Sequence, residues 1–161
     1  MHESERNRLR KLKEVLILAG KDMDQAHAAA TALRVDLSDD ESFRRALETA
    51  MAVCYMRPFT RSSLMTLPNE YVPTTWPDAD LHAGLKNLRN EVYAHTDKDS
   101  GRTASMKAMG KSGDTVTLEW REEWLAFPIE DIPAALSLFV RQQNRFLIDA
   151  VSIHVELNED V

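Results

Sequence analysis

The sequence predicts an all-α fold, an antiparallel helical bundle with a long N-terminal helix and a small β-hairpin inserted near residues 103 to 120. Three observations predict it. An unbroken apolar seam runs through the first 37 residues, amphipathic helical segments follow it, and one alternating stretch with flanking glycines interrupts them. A chain of 161 residues is the size of one ordinary domain, so we assign residues 1–161 to a single domain.

The first helix is predicted from about residue 4 to 36. Its apolar seam alternates spacings of three and four and consists of Leu9, Leu12, Leu16, Ala19, Met23, Ala26, Ala30, Leu33 and Leu37. Because the seam keeps its phase through Gly20, we expect one helix with a soft point there rather than two helices. At about 1.5 Å per residue the helix would extend about 50 Å. It is either a long bundle helix or one that also covers a partner.

The second helix is predicted from a capping box, Ser38-x-x-Glu41, to the neighbourhood of Pro58. Its expected buried stripe is Phe43, Leu47, Ala50 and Cys54. Residues 58–77 hold four of the six prolines and show no period, which predicts a loop that packs across the surface.

The third helix is predicted to begin near Trp76, with a stripe of Leu81, Leu85, Leu88 and Val92. The hairpin is predicted from the alternation of Val116, Leu118 and Trp120 with polar residues. The last helix is predicted to start at Asp131, and its stripe is Ile132, Leu136, Phe139, Gln143, Phe146, Ala150 and Ile153. Gln143 interrupts this stripe and needs a hydrogen-bond partner if it is buried.

Composition excludes several classes of function. The N-terminus is charged, no apolar run is long enough to span a bilayer, and the single cysteine suits a reducing compartment, so a cytoplasmic chain with no membrane association is expected. The sequence has no glycine-rich phosphate loop, no dinucleotide fingerprint and no zinc-site spacing. We therefore expect neither a cofactor nor a bound metal.

Charge is distributed unevenly along the chain. The net charge of −6 argues against non-specific binding of nucleic acid by the whole surface. Residues 84–113 nevertheless carry six basic and three acidic side chains, a local net charge of +3. From this segment we take Lys86, Lys98 and Arg102 as candidate substrate-binding residues for a polyanion. The alternative is chance clustering on a solvated face.

The polar residues at the end of the third helix form the one group that points to chemistry. Arg89, Asn90, Tyr93 and His95 stand within seven positions, and His95 continues the apolar stripe. On a regular helix Arg89 and His95 lie about 120° apart and about 9 Å apart along the axis, so they do not converge on a small target. Either the helix ends before His95, or a second copy of the chain supplies half of a site. Helix capping and packing would also explain these residues.

The stretch RNEVYAH, residues 89–95, resembles the motif of the HEPN superfamily, an arginine followed by a polar residue and, after an interval, a histidine. The longer stretch LRNEVYAHTD, residues 88–97, is similar to the sequence of bacterial members related to abortive-infection proteins. The resemblance implies a HEPN-like bundle that forms a homodimer with two motifs in one cleft, acting on RNA as a metal-independent ribonuclease. It implies that His95 serves as acid and base and that Arg89 stabilises the transition state. Asn90 would orient His95 or donate to a phosphate, and Tyr93 would stack on a base or on the Arg89 guanidinium.

Two other classes remain open. One is a non-catalytic dimeric module that binds RNA or a partner through the same cleft. The other is a toxin-like or antiphage-defence enzyme, controlled by a separate antitoxin protein.

Overall fold

The computed structural model of the chain describes residues 2–35, 40–60, 67–93, 102–106, 118–122 and 126–159. For residues 91–93, 102–106, 118–122 and 159 the description covers the backbone alone. The described chain is mostly helical, which confirms the all-α class.

The first helix, α1, spans Glu3–Val35 as one uninterrupted element. The predicted long helix is therefore confirmed, including its continuity through Gly20. The buried side of α1 contains Leu16, Met23, Ala26 and Ala30, each with no exposed surface, as the seam predicts. Gly20 lies on the same side and faces Leu147 of the last helix.

The second helix, α2, spans Glu41–Met56, and its N-cap differs from the predicted one. The carboxylate of Asp40 accepts hydrogen bonds from the backbone N–H groups of Ser42 and Phe43, at 3.0 and 3.1 Å. Asp40 is thus the capping residue, and the predicted capping box was wrong. Ser38 lies outside the described residues.

The buried face of α2 was predicted only in part: Leu47 and Cys54 are partly buried and pack against the core, but the other two predicted residues do not. Phe43 is 49% exposed and Ala50 is exposed, whereas the buried residues are Glu48, Met51, Ala52, Tyr55 and Met56. The face is set by the fully buried Tyr55, whose ring packs against Phe139 at a centroid distance of 5.2 Å. A buried tyrosine contributes more apolar contact than Phe43 would at the solvent-facing start of the helix, so the helix turns toward it.

Two single turns of 3₁₀-helix, Arg57–Phe59 and Asn69–Tyr71, lie in the predicted loop. The ring of Tyr71 packs on Phe146 at 5.7 Å, and the Arg145 guanidinium lies 4.9 Å from its centroid. Burial, followed by a hydrogen bond to the Asp149 carboxylate, raises the pKa of Tyr71 to about 12. The described part of this loop therefore packs on the bundle, as predicted, while residues 61–66 lie outside the described residues.

The third helix, α3, spans Asp78–Tyr93, and the last helix, α4, spans Ile132–Glu159. Six of the seven predicted stripe residues of α4 are buried, and the seventh, Gln143, is half-buried. The amide of Gln143 donates to the carboxylate of Asp24 on α1 at 2.5 Å, which supplies the expected partner. Its neighbour Gln142 is buried as well, which the periodicity did not predict.

Two short strands, β1 (Arg102–Met106) and β2 (Leu118–Glu122), pair antiparallel with Met106 opposite Leu118. Residues 107–117, which join them, lie outside the described residues. The complete hairpin stays a prediction.

The four helices pack around one core. Helix α1 makes its most extensive contact with α4, while α2 packs against α1 and α3. Helices α1 and α4 run antiparallel, because Arg6 donates to the carbonyl of Leu157 while Asp24 pairs with Gln143. Within the described residues, no helix has the length and apolar character needed to cross a bilayer. The assignment to one domain and the HEPN-like identity of the bundle stay predictions.

Candidate active site on the third helix

The start of α3 is fixed to α4 by a two-point ion pair. Arg141 donates through Nε to Asp78 Oδ2 at 3.2 Å and through Nη2 to Asp78 Oδ1 at 2.5 Å. This fork geometry constrains orientation more than a single contact would. The side chain of Arg141 is about half exposed and solvent screens the pair, so we assign it a positioning role rather than a large share of stability.

A histidine fixes the second turn of α3 to α2. The Nδ1 atom of His82 lies 3.0 Å from the hydroxyl of Tyr55, and its ring packs edge-on against Phe59 at 5.0 Å. Burial, and secondarily the charge of Lys86, lowers the pKa of His82. Burial also raises the pKa of Tyr55, with a smaller contribution from Asp78. Both side chains are therefore neutral near pH 7, and they are suited to a structural hydrogen bond.

The remaining side chains of α3 divide by burial. Leu81, Leu85 and Leu88 are buried in the core, as the stripe predicts. Lys86 and Asn90 are exposed, and Arg89 is half-buried. The sequence motif therefore lies on a helix whose inner face and first two turns are held by the bundle, with its polar residues toward the outside.

The first two motif residues are in direct contact. Arg89 donates through Nη1 to the side-chain oxygen of Asn90 at 3.2 Å. This contact gives the amide a role that the sequence alone did not predict, which is to orient the guanidinium. A guanidinium offers five donors in a planar arrangement that matches a phosphate, so an oriented one is a suitable ligand for phosphate oxygens.

The other predicted site residues are only partly described. Tyr93 is the last residue of α3 and Arg102 is the first of β1, but their side chains are not described. His95 and Lys98 lie outside the described residues. The structure thus brings Arg89 and Asn90 together, and the choice between an early helix end and a second copy stays open.

Sequence reasoning missed a polar cluster between α1 and α2. Arg57 donates to the largely buried Asp22 at 2.5 Å, and the Cys54 thiol donates to Gln25 Oε1 at 3.4 Å. Burial raises the pKa of Asp22 more than the Arg57 charge lowers it, and burial likewise raises the pKa of Cys54. A thiol with a raised pKa is a poor nucleophile, so Cys54 is a packing residue here. The only sequence signal for this cluster was the charged Asp22, which directly precedes Met23 of the apolar seam.

Within the part of the chain that the structure describes, no three His, Cys, Asp or Glu side chains form a group that could hold a metal ion. The chain matches no protein-family model, and it matches neither a curated protein nor a solved structure.

Proposed function

We propose that the chain is a metal-independent endoribonuclease of the HEPN type, acting at a cleft formed by two copies. The motif Arg89-Asn90-x4-His95 is the observation that carries the proposal. The contact between Arg89 and Asn90 supports it, because it orients the guanidinium on a helix that is anchored at Asp78 and His82.

The chemistry follows from the two side-chain types. An imidazole of His95 accepts the proton of a ribose 2′-hydroxyl, whose oxygen attacks the adjacent phosphorus. The bond from phosphorus to the 5′-oxygen then breaks, and a protonated imidazole returns a proton to that leaving oxygen. The products are a 2′,3′-cyclic phosphate and a free 5′-hydroxyl. Arg89 stabilises the extra negative charge on the phosphorane-like transition state.

Two copies resolve the geometric problem of the motif. If the regular helix continued to His95, Arg89 and His95 would diverge, and a two-fold axis through the cleft would bring the motifs of both chains to one phosphate. Lys86, Lys98, Arg102 and Tyr93 then serve the flanking phosphates and bases. As a toxin or antiphage-defence enzyme, the chain would have an antitoxin protein as its second partner.

The test of this mechanism is the chemistry of its products. A 5′-labelled RNA pool in EDTA should give fragments that end in a 2′,3′-cyclic phosphate, and RNA methylated at the 2′-oxygen should not be cleaved because it lacks the nucleophile. Cleavage that depends on added Mg²⁺, or that also cuts methylated RNA, would contradict the mechanism. Binding without cleavage would instead identify a non-catalytic RNA-binding module.

A further inference from the structure

A cavity of about 460 Å³ opens along α3, between this helix and the segment that leads into α4. Its floor consists of the buried side chains Leu81, Leu88 and Phe127. Leu88 directly precedes Arg89 in the chain, so the proposed catalytic arginine is one residue from the cavity lining, although its own side chain is not part of that lining. The volume lies within the range of about 300–1,000 Å³ that is usual for small-ligand sites.

The wall of the cavity opposite α3 is held in place by a partly buried ion pair. Glu48 on α2 is 1% exposed, and its carboxylate accepts from Arg44 Nε at 2.9 Å. The same guanidinium donates through Nη2 to the backbone carbonyl of Phe127 at 3.3 Å. The segment around Phe127 is thereby fixed to the bundle, and the cavity exists before any ligand binds.

The mouth of the cavity combines flat apolar surfaces with two carboxylates. Trp76 is 81% exposed, which is unusual for the largest apolar side chain, and Pro77 lies beside it. Asp80 is exposed and Asp131 is half-buried, and both line the cavity. Exposed tryptophans are the surfaces on which nucleic-acid bases stack. Ionised carboxylates only accept hydrogen bonds, so a ligand that pairs with them must bring N–H or O–H donors.

Gly84 leaves the cavity open on the helix side. A Cβ atom built on Gly84 would meet no atom within 4 Å, whereas Gly20 of α1 is closely packed against Leu147. Packing therefore does not require a glycine at position 84, and a helix interior disfavours one by about 0.5–1 kcal/mol. A larger side chain would occupy the cavity itself.

We propose that this cavity binds a nucleobase of single-stranded RNA that carries an exocyclic amino group, with guanine preferred. The carboxylates favour the base over the phosphate backbone, which they repel. Guanine presents two parallel donors, N1–H and the 2-amino group, that match the two oxygens of one carboxylate, while uracil offers a single N–H donor. This inference rests on the proposed function, because it assigns the cavity to a base of the RNA whose backbone Arg89 contacts.

The test uses the full-length chain and 2′-O-methyl pentanucleotides UUXUU, which the proposed enzyme cannot cleave. Fluorescence anisotropy should show about tenfold tighter binding for X = G than for X = U, in keeping with the discrimination that a bidentate base contact gives. Gly84→Leu should abolish this preference by filling the cavity. Ala83→Leu, the matched control on the neighbouring exposed position, should keep it.

Two more variants separate stacking from hydrogen bonding. Trp76→Ala should weaken binding of every pentanucleotide about tenfold, since stacking is tolerant of sequence. Asp80→Asn should reduce the preference for guanine, while the affinity for UUUUU should rise or stay the same because a carboxylate that repels phosphate is removed. Circular dichroism of each variant verifies the fold, and Gly84→Leu places a better helix former in open space.

Three results would overturn the inference. The first is that Gly84→Leu binds UUGUU and UUUUU with the same affinities as the wild type does. The second is free guanosine binding as tightly as UUGUU, which would assign the cavity to a nucleoside rather than RNA. The third is base-independent RNA binding together with tight, Gly84→Leu-sensitive binding of a peptide rich in Arg and Trp, which would assign it to a protein partner. Cleavage without base preference removes this inference alone, and base preference without cleavage removes only the enzyme proposal.

Discussion

His82 and Arg89 stand seven positions apart on α3, and their surroundings give them different tasks. The ring of His82 is half-buried against Tyr55 and Phe59, and the pKa of this imidazole is lowered by burial. Arg89 is half-buried and orients its guanidinium with Asn90. These partners could not be predicted from the sequence, because periodicity gives the face of a side chain but not its partners. The motif was visible from residue types, while the cavity lined by Leu88 also depends on Phe127, which lies 39 positions after Leu88 in the chain.

At the residue scale we first predict the effect of shortening the guanidinium. Arg89→Lys keeps the charge but loses the planar fork, so the rate of RNA cleavage should fall about 100-fold or more. The melting temperature should change little, because the Arg89 side chain is not part of the core. Arg8→Lys, on an exposed position of α1, is the control and should cleave like the wild type. Equal activity of both variants would remove Arg89 from the mechanism.

A second residue-scale prediction concerns pH. The pKa of His82 is lower in the folded state than the unfolded value of about 6.5. As the pH falls below that value, the unfolded chain binds the proton first, so the free energy of unfolding decreases. Urea unfolding should therefore show a larger loss of stability from pH 7.5 to 5.5 for the wild type than for His82→Gln. Identical losses in the two proteins would contradict a buried, neutral His82.

At the element scale, the buried faces of the long helices α1 and α4 could be predicted from the sequence. The orientation and the N-cap of α2 could not. The seam of α1 and the stripe of α4 each have one dominant apolar face, so their periodicity alone defined which side is buried. Helix α2 packs against both α1 and α3, which widens its apolar face and lets Tyr55 rather than Phe43 decide the orientation. Its Asp40 cap was missed because Ser38 offered the same capping chemistry two positions earlier.

The two helical glycines give an element-scale prediction. Gly84→Ala should raise the free energy of unfolding by about 0.5–1 kcal/mol, since the added methyl group meets no neighbour. In Gly20→Ala the new Cβ would lie 3.2 Å from Leu147 Cδ2, so the half-exposed Leu147 must shift and the gain should be smaller. Urea unfolding at one pH measures both. A larger gain for Gly20→Ala than for Gly84→Ala would contradict the packing described for α1 and α4.

At the scale of the whole molecule, the proposed dimer needs a surface that one copy leaves uncovered. One face of α4 exposes five aliphatic side chains, Val140, Leu147, Ile148, Val151 and Val155. They present apolar surface on the order of 400 Å², comparable to the largest patch on a typical monomer. A standard interface buries about 800 Å² per partner, so this patch would supply its apolar centre. We expect a second copy of the chain to pack on this face.

Two valines of similar exposure, Val151 and Val35, allow the proposed dimer to be tested. Light scattering should give the mass of a dimer for the wild type at micromolar concentration and that of a monomer for Val151→Lys, with cleavage lost alongside the dimer. Val35→Lys is the control, because Val35 is 64% exposed and Val151 62%, while Val35 lies at the end of α1. A monomeric wild type with intact cleavage would exclude the composite cleft.

The most direct test of the proposed function is single-turnover RNA cleavage in EDTA by the wild type, His95→Ala and His2→Ala. Loss of a positioned acid or base group typically lowers a rate by about 10²–10⁴. We predict that His95→Ala falls by at least this much, while His2→Ala, exposed just before α1, keeps the wild-type rate. Cleavage by His95→Ala at the wild-type rate, or no cleavage by the wild type in any RNA pool, would contradict the proposal that this chain is a HEPN-type ribonuclease.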